Sequence, residues 1–421
     1  MYRQEIIQDI TLFTSAPKAK FYDELFLNLD LSSFPDSVSK TGRKGYSKRA
    51  LLCAFIVMKC ECFSCITDLL DYLQNNLLIA YYCGFDITKP LPSYWTLDRF
   101  IRNIDNESLK GIMKSLVLRL SKKGIVDASF IALDSTPISA NTKLNNPKSF
   151  VKNKFSKDNQ PKSDKDCALG VHTASNQHNE RNFEYYWGYK NHVLVDCITG
   201  LPLFEITTTA DVADSTVALD ILSQTNSFLP IHECTFIADK GYDIKAIYNT
   251  VKNVYNGECN IPLNKRNTKK PKVTSSHPIC DAGLAMHKDG KFSDNGRTRQ
   301  KYCCPFKRSK SGTCPCNHKN WNNGKKTKGC TKYITLPDDY RLSIDRECVS
   351  FKKIYSLRTE VERYNSRFKQ TGQERLWVHS LNAAQNLNTV AHIALLAVAF
   401  AAIVTKSEYS FRCLKSVKRI A

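Results

Sequence analysis

Acidic residues are scarce against basic ones: 40 Asp and Glu stand beside 61 Lys and Arg, a formal net charge of +21. So large an excess repels itself in a folded chain, and the usual reason to keep it is a polyanionic partner. Nucleic acid is the first candidate and an anionic membrane surface the second. No apolar run reaches the roughly 20 residues that a bilayer-spanning helix needs. The most apolar stretch, VAHIALLAVAFAAIV from Val390 to Val404, is shorter and carries His392, so a buried helix near the C-terminus is expected and no membrane partner. The N-terminus, MYRQEIIQDITLFTSAPKAKFYDELF, is broken by Arg3, Glu5 and Asp9, so no secretory signal is expected. The chain also lacks internal repeats. It is not short of cysteine, but 17 is an odd count without an export signal, which fits reduced thiols in a cytosol better than a disulfide framework. Several sit in apolar runs (Cys53, Cys60, Cys197, Cys234) and read as small buried hydrophobes.

What is present suffices for more than one minimal core. The 421 residues carry an ordinary 42% of apolar types, which excludes wholesale disorder. Residues 46–120 read as helical. YSKRALLCAFIVMKCECFSCITDLLDYLQNNLLIAYYCGF spaces its apolar residues three and four apart, with Ser47 as N-cap. PLPSYWTLDRFIRNI opens a further helix, and ESLKGIMKSLVLRLSKKG ends another on Gly124 with basic residues in its last turn.

From about residue 128 the pattern changes. ASFIALD reads as a buried strand ending at Asp134, and CTFIAD as another ending at Asp239. Between them, 141–182 is polar and reads as an exposed loop whose lysines would add non-specific affinity for DNA, or simply be solvated. YYWGYKNHVLVDCITGLPLFEITTT reads as two strands joined at Thr199-Gly200, and DSTVALDILSQTN as a helix. Residues 264–330 form a second basic insertion, followed by a helix over about 352–370. Four segments are expected: an N-terminal helical, DNA-contacting domain (1–125), the first part of a mixed α/β catalytic domain (126–262), a basic Cys-containing insertion (263–350), and a catalytic helix with C-terminal helices (351–421).

Asp134 and Asp239 share a context: a short apolar strand, the acid, then a turn, as LDSTP and ADKGY. An acid on a buried strand is presented rigidly, as metal ligation requires. Strand-end aspartates also commonly cap the following turn, so either one alone would say little. The third element is IYSLRTEVERYNSRFKQ. At about 100° per residue, Tyr355, Arg358, Glu362 and Lys369 fall within roughly 60° of one another, while Glu360 faces away toward solvent or a salt bridge. One carboxylate among groups that bind phosphate is unusual for a solvated helical face.

The spacing Tyr355-x2-Arg358-x3-Glu362-x6-Lys369 resembles the Y-R-E-K signature of bacterial insertion-sequence transposases of the DDE class. LDSTPIS and ADKGYD look like that family's two aspartate motifs in the right order, and WGYKNHVLVDCITGLPL resembles the strand pair between them. PSYWTLDRFI resembles part of the family's N-terminal helical domain. The resemblance runs from about 46 to 404 and is thinnest across the polar insertions. It implies a ribonuclease-H-like fold in which Asp134, Asp239 and Glu362 are catalytic and bind two divalent ions, Mg²⁺ with Mn²⁺ able to substitute. It implies that Tyr355, Arg358 and Lys369 contact DNA, and that double-stranded DNA, both terminal repeats and target, is joined by a homo-oligomer in the bacterial nucleoid. One departure is Ala213, where relatives often carry His. Three alternatives stand beside an active transposase: a nuclease of the same fold, a catalytically silent, transposase-derived DNA-binding protein, and a zinc-dependent basic regulator, which would leave the carboxylate stripe unexplained.

Cys303, Cys304, Cys314, Cys316 and Cys330, with His318 nearby, crowd a basic loop too poor in apolar residues to fold alone. Structural Zn²⁺ would supply the missing stability, although C-C and C-P-C are not the paired C-x2-C spacing of common zinc sites. A flexible loop of reduced thiols is the alternative.

Overall fold

A computed structural model describes residues 14–36, 45–175, 181–264, 278–280, 282–294, 297–304, 306, 331–335 and 340–405. The helical region is built from α1 (Pro17–Asn28), α2 (Lys48–Cys60), α3 (Ile66–Asn75), α4 (Leu77–Tyr82), α5 (Tyr94–Asn103) and α6 (Asn106–Lys122). Ser47 caps α2 as expected, its side chain accepting from the Ala50 amide. Beyond α6 the chain turns at Gly124, whose φ of +70° suits a residue without a Cβ.

The sheet follows. Its strands are β1 (Phe130–Ser139), β2 (Ala168–Ser175), β3 (Arg181–Asp196), β4 (Leu201–Thr209), β5 (Thr235–Ala238) and β6 (Glu258–Asn260), with α7 (Asp214–Asn226) and α8 (Lys245–Asn253) as connections. β3 pairs antiparallel with β4 and with β1, and β1, β5 and β6 run parallel, giving the order β4-β3-β1-β5-β6. This is the expected ribonuclease-H-like mixed sheet. β2 pairs along the first half of β3, so the 141–182 stretch, expected to be loop throughout, contains one strand and the start of another. The expected turn at Thr199-Gly200 joins β3 to β4, with Gly200 at φ +69°.

Within 263–350 the described residues form a small antiparallel sheet, β7 (His287–Asp294), β8 (Arg297–Cys303) and β9 (Thr331–Thr335), over a minor core of Cys280, Met286, Tyr302 and Cys304. Cys303 and Cys304 are buried there. Cys314, Cys316, His318 and Cys330 lie outside the described residues, and among the described residues no cluster of three metal-ligating side chains occurs. The C-terminal part comprises α9 (Tyr340–Ser343), α10 (Val349–Tyr355), α11 (Thr359–Phe368) and α12 (Leu381–Val404).

α12 is long and apolar enough to cross a membrane by composition, but 89% of its most apolar window is buried inside the protein. It packs on α6, α2 and β4, so the helical region and the sheet share one continuous hydrophobic core. Burial of that much apolar surface is the main favourable contribution to folding. Cys53, Cys60, Cys197 and Cys234 are buried in it as small hydrophobes, as expected.

Candidate active site

Sheet register brings the two aspartates together. β1 and β5 are parallel neighbours paired up to Leu133 and Ala238, so the next residue on each strand is an aspartate, Asp134 and Asp239. Adjacent strands lie about 4.8 Å apart, which sets the two acids side by side. Asp239 ends its strand as expected. Asp134 does not: β1 continues to Ser139, because its antiparallel ladder with β3 runs on after its pairing with β5 has stopped. Asp134 therefore borders the gap that opens where β5 ends. Asp239 also performs the capping that strand-end aspartates favour, its Oδ1 accepting from the Gly241 amide at 2.7 Å.

The expected single helix over 352–370 is instead three pieces. α10 ends at Tyr355, a 3₁₀ turn spans Ser356–Arg358, and α11 carries Glu362. A wide π turn then begins at Lys369, with Gly372 at φ +84°. A Cβ on Gly372 would stand 3.1 Å from the Phe63 carbonyl, so this turn packs closely on the loop between α2 and α3. Buried Lys59 of α2 donates to the Thr371 carbonyl at 3.4 Å, which ties the helical region to the turn that follows the Glu362 helix.

Despite the breaks, Tyr355, Arg358 and Lys369 still gather around Asp134 and Glu362. Arg358 donates to Glu362 through Nη1 and holds Nη2 3.6 Å from Asp134 Oδ1. Lys369 lines a cavity of about 540 Å³ with Asp134, Glu362, Asn365, His172 and Glu374. Tyr355 stacks on Phe351 at 6.1 Å between ring centres and lies within the field of Arg358 and the three acids. Glu360 pairs with Arg363, the salt bridge expected of the opposite face.

Electrostatics follow from this packing. Burial pushes the Asp134 carboxyl up to about 6; Arg358 opposes the rise, and Asp239 and Glu362 reinforce it. Burial works against the Arg358 charge, but Asp134, Tyr355 and Glu362 outweigh it and raise its affinity for the proton. Tyr242, from the GYD of the second motif, is buried near both aspartates, and burial raises its hydroxyl well above the ordinary range.

Three carboxylates supply the hard oxygen donors that a divalent cation prefers. In this structure the Arg358 guanidinium provides the positive charge between Asp134 and Glu362. The donors fit a divalent ion in kind and charge, but with Arg358 bonded between Asp134 and Glu362 the three carboxylates do not converge as a three-ligand cluster in this arrangement.

Two features escaped sequence reading. Asn365 donates from Nδ2 to Asp134 Oδ2 at 3.1 Å. Its signal was its place three residues after Glu362, on the same helical face. Behind the sheet, Tyr364 of α11 donates to His392 Nδ1 at 2.5 Å, and His392 Nε2 donates to Asn191 Oδ1 at 3.0 Å. Asn191 passes the chain to buried Glu205 at 2.6 Å, and Glu205 accepts from Thr389 at 2.6 Å. Burial keeps His392 neutral, its pKa lowered to about 3, which fits this donor and acceptor order. The network locks α11 against α12 and the sheet.

Residues 125–397 match the family described as Transposase DDE domain, and residues 11–103 match the Transposase domain (DUF772). No curated protein matches the chain. Among solved structures, a piggyBac transposase synaptic complex with hairpin DNA aligns at TM-score 0.41 and 10% identity, over 99% of this chain and 80% of that one.

Proposed function

The chain belongs to the Transposase DDE domain family and is a DNA transposase; from this premise we propose that it cleaves and joins phosphodiester bonds at the ends of an insertion sequence, with Asp134, Asp239 and Glu362 as the catalytic carboxylates. The observation that carries the residue assignment is the register that ends at Leu133 and Ala238, with Arg358 linking Asp134 to Glu362.

The family works with divalent metal ions. We assign two Mg²⁺, replaceable by Mn²⁺, to Asp134, Asp239 and Glu362. When bound, such ions acidify the attacking water or 3′-hydroxyl and stabilise the leaving oxygen. The chain's own contribution is to hold three carboxylates on rigid elements and to bring phosphate to them. Arg358, Lys369 and Tyr355 serve the second purpose: a guanidinium grips phosphate by two parallel bonds, a lysine acts as a point charge, and a tyrosine hydroxyl donates. As DNA enters, Arg358 exchanges its carboxylate partners for phosphate, leaving the acids to the metal.

The substrates are the element's terminal repeats and a target duplex, paired by a homo-oligomer acting at the bacterial nucleoid. Structural Zn²⁺ on the Cys303–Cys330 cluster belongs to the same reading, tested by elemental analysis of protein purified without chelator.

The deciding experiment is cleavage of a duplex carrying the ends that flank this gene, with Mg²⁺ or with EDTA, beside Glu362→Gln. Metal-dependent nicking at the end that vanishes in the variant is expected. Binding without cleavage in any metal would overturn catalysis in favour of a silent descendant. Cleavage without joining would make it a nuclease.

A further inference from the structure

The segment between β1 and β2 is an ordered loop whose exposed charge is mostly lysine. Lys143, Lys148, Lys152, Lys157, Lys162 and Lys165 are exposed, and among the described residues none of the six is in an ion pair. Of its three acids, Asp158 stays exposed beside Lys157, while Asp164 and Asp166 turn the other way. Buried Asp164 accepts from Tyr189 Oη at 2.7 Å and from the Ser380 amide at 3.3 Å, and Asp166 accepts from the Leu381 amide at 3.0 Å, at the start of α12. The backbone is fastened as well. Asn145 donates to the Ala140 and Trp187 carbonyls at 2.9 and 2.7 Å, and the Trp187 indole donates to the Lys154 carbonyl at 2.9 Å. Phe150, between Lys148 and Lys152, is 101% exposed.

A disordered chain could spread six like charges apart, whereas an ordered loop holds them within about a Debye length or two and incurs their repulsion. A surface that fixes this arrangement, with six exposed lysines and two of its three acids spent on internal anchoring, is matched by a polyanion. We propose that this loop is a sequence-independent platform for the backbone of duplex DNA beside the catalytic cleft, suited to the target or flanking duplex rather than to recognition of the element's end. The inference rests on the transposase reading above. Lysine grips phosphate as a point charge and lacks the fork that reads a guanine edge, so the platform positions without specifying. β1, which carries Asp134, leads into the loop, and β2, whose His172 lines the catalytic cavity, leads out of it. Phe150 adds an apolar contact to the sugars.

The test uses the full chain and a variant with Lys148, Lys152, Lys157 and Lys162 each changed to Gln. Binding is read by fluorescence anisotropy over a salt series, on one duplex carrying the element's end and one of scrambled sequence. Losing four phosphate contacts lowers the slope of log affinity against log salt by about 3 to 4. Affinity at moderate salt is expected to fall about tenfold to a hundredfold, equally on both duplexes, with the thermal midpoint and saturating end cleavage unchanged. Phe150→Ser is expected to weaken binding a few-fold without altering the slope. An unchanged slope in the quadruple variant overturns the platform, as does a loss confined to the end duplex, or a loss of anionic-vesicle binding without loss of DNA binding. If the wild-type chain binds neither duplex at any salt, the transposase reading of the substrates fails as well, an outcome distinct from a wild type that binds and a variant that binds equally.

Discussion

Asn365 and Asp134 meet across 231 positions of sequence, Nδ2 to Oδ2 at 3.1 Å, and so fasten the helix of Glu362 to the strand of the first aspartate. The other end of that amide, Oδ1, is buried without a hydrogen-bond partner. A buried acceptor left unmade is costly, so the amide is held there by its donor side. The bond leaves Asp134 Oδ1 facing Arg358, and fixes the plane in which the carboxylate is presented.

Asn365→Ala should therefore lower the rate of end cleavage and leave affinity for the end duplex alone. Loss of one such bond costs about 1 kcal/mol, or roughly fivefold to tenfold in rate. Asn365→Asp should be worse, since it adds a negative charge beside a carboxyl that burial has already raised to about 6. Single-turnover cleavage beside equilibrium binding separates the two effects. A wild-type rate in Asn365→Ala would show that the bond does not orient Asp134.

Two buried histidines make the fold acid-sensitive. Burial lowers His192 from 6.5 to about 4 and His392 from 6.5 to about 3. Both folded values lie below the unfolded one, so the unfolded chain takes up protons first. Stability is intact above about pH 6.5 and falls as pH drops toward 4 and 3. Between pH 7.5 and 5.0 each histidine should remove about 2 kcal/mol. Asp134 acts in the opposite sense, because its folded value of about 6 lies above 3.8 and its protonation favours the folded state. The difference between wild type and His392→Gln isolates the histidine: urea titrations at the two pH values should show a smaller loss in the variant by about 2 kcal/mol. Equal losses would mean that His392 is charged or solvated in the folded chain.

Arg358 has a double attachment, to Asp134 and Glu362, and its removal should be read in two ways. Arg358→Ala should weaken DNA binding across sequences and reduce the salt slope by about 1, the signature of one lost phosphate contact. Without DNA, the same variant should bind Mn²⁺ more tightly by electron paramagnetic resonance, since no guanidinium competes for the acids. An unchanged slope would refute the phosphate contact, and weaker Mn²⁺ binding would refute the competition.

Motif order was legible because each motif is local. The apolar runs before Asp134 and Asp239, the Thr199-Gly200 turn and the Ser47 cap depend on a few neighbouring residues, and the structure carries them as expected. The continuation of β1 past Asp134 was not legible, since it depends on how far a distant strand, β3, keeps pairing. The stripe from Tyr355 to Lys369 presumes one continuous helix. A 3₁₀ turn and a π turn change the rotation per residue at both ends, yet the residues still gather around the acids because the packing of α11 on the sheet decides their direction. The loop after β1 reads as polar and unstructured by composition. Its order comes from Asn145, Trp187 and Asp164 bonding to remote backbone, which no local pattern announces.

The glycine of the WGYK motif offers a direct test of the close packing at the end of β1, five residues beyond Asp134. Gly188 pairs with Ser139 at the end of β1 and with Ala168 of β2, where β3 passes from one partner to the other. A Cβ there would lie 2.0 Å from the Ile138 carbonyl oxygen and 3.1 Å from the Ala140 amide nitrogen. Both are backbone atoms, so no rotamer change relieves the clash and β1 itself must shift. Gly188→Ala should cost about 2 to 4 kcal/mol and lower soluble yield. Gly111, an exposed residue inside α6, has nothing within 4 Å of its added Cβ. There the same substitution should stabilise the chain by about 0.5 to 1 kcal/mol, through the better helix propensity of alanine. Urea midpoints for the two variants should thus move in opposite directions from wild type. A Gly188→Ala midpoint as high as that of Gly111→Ala would mean that β1 yields easily at Ile138, and that the placement of Asp134 does not depend on this junction.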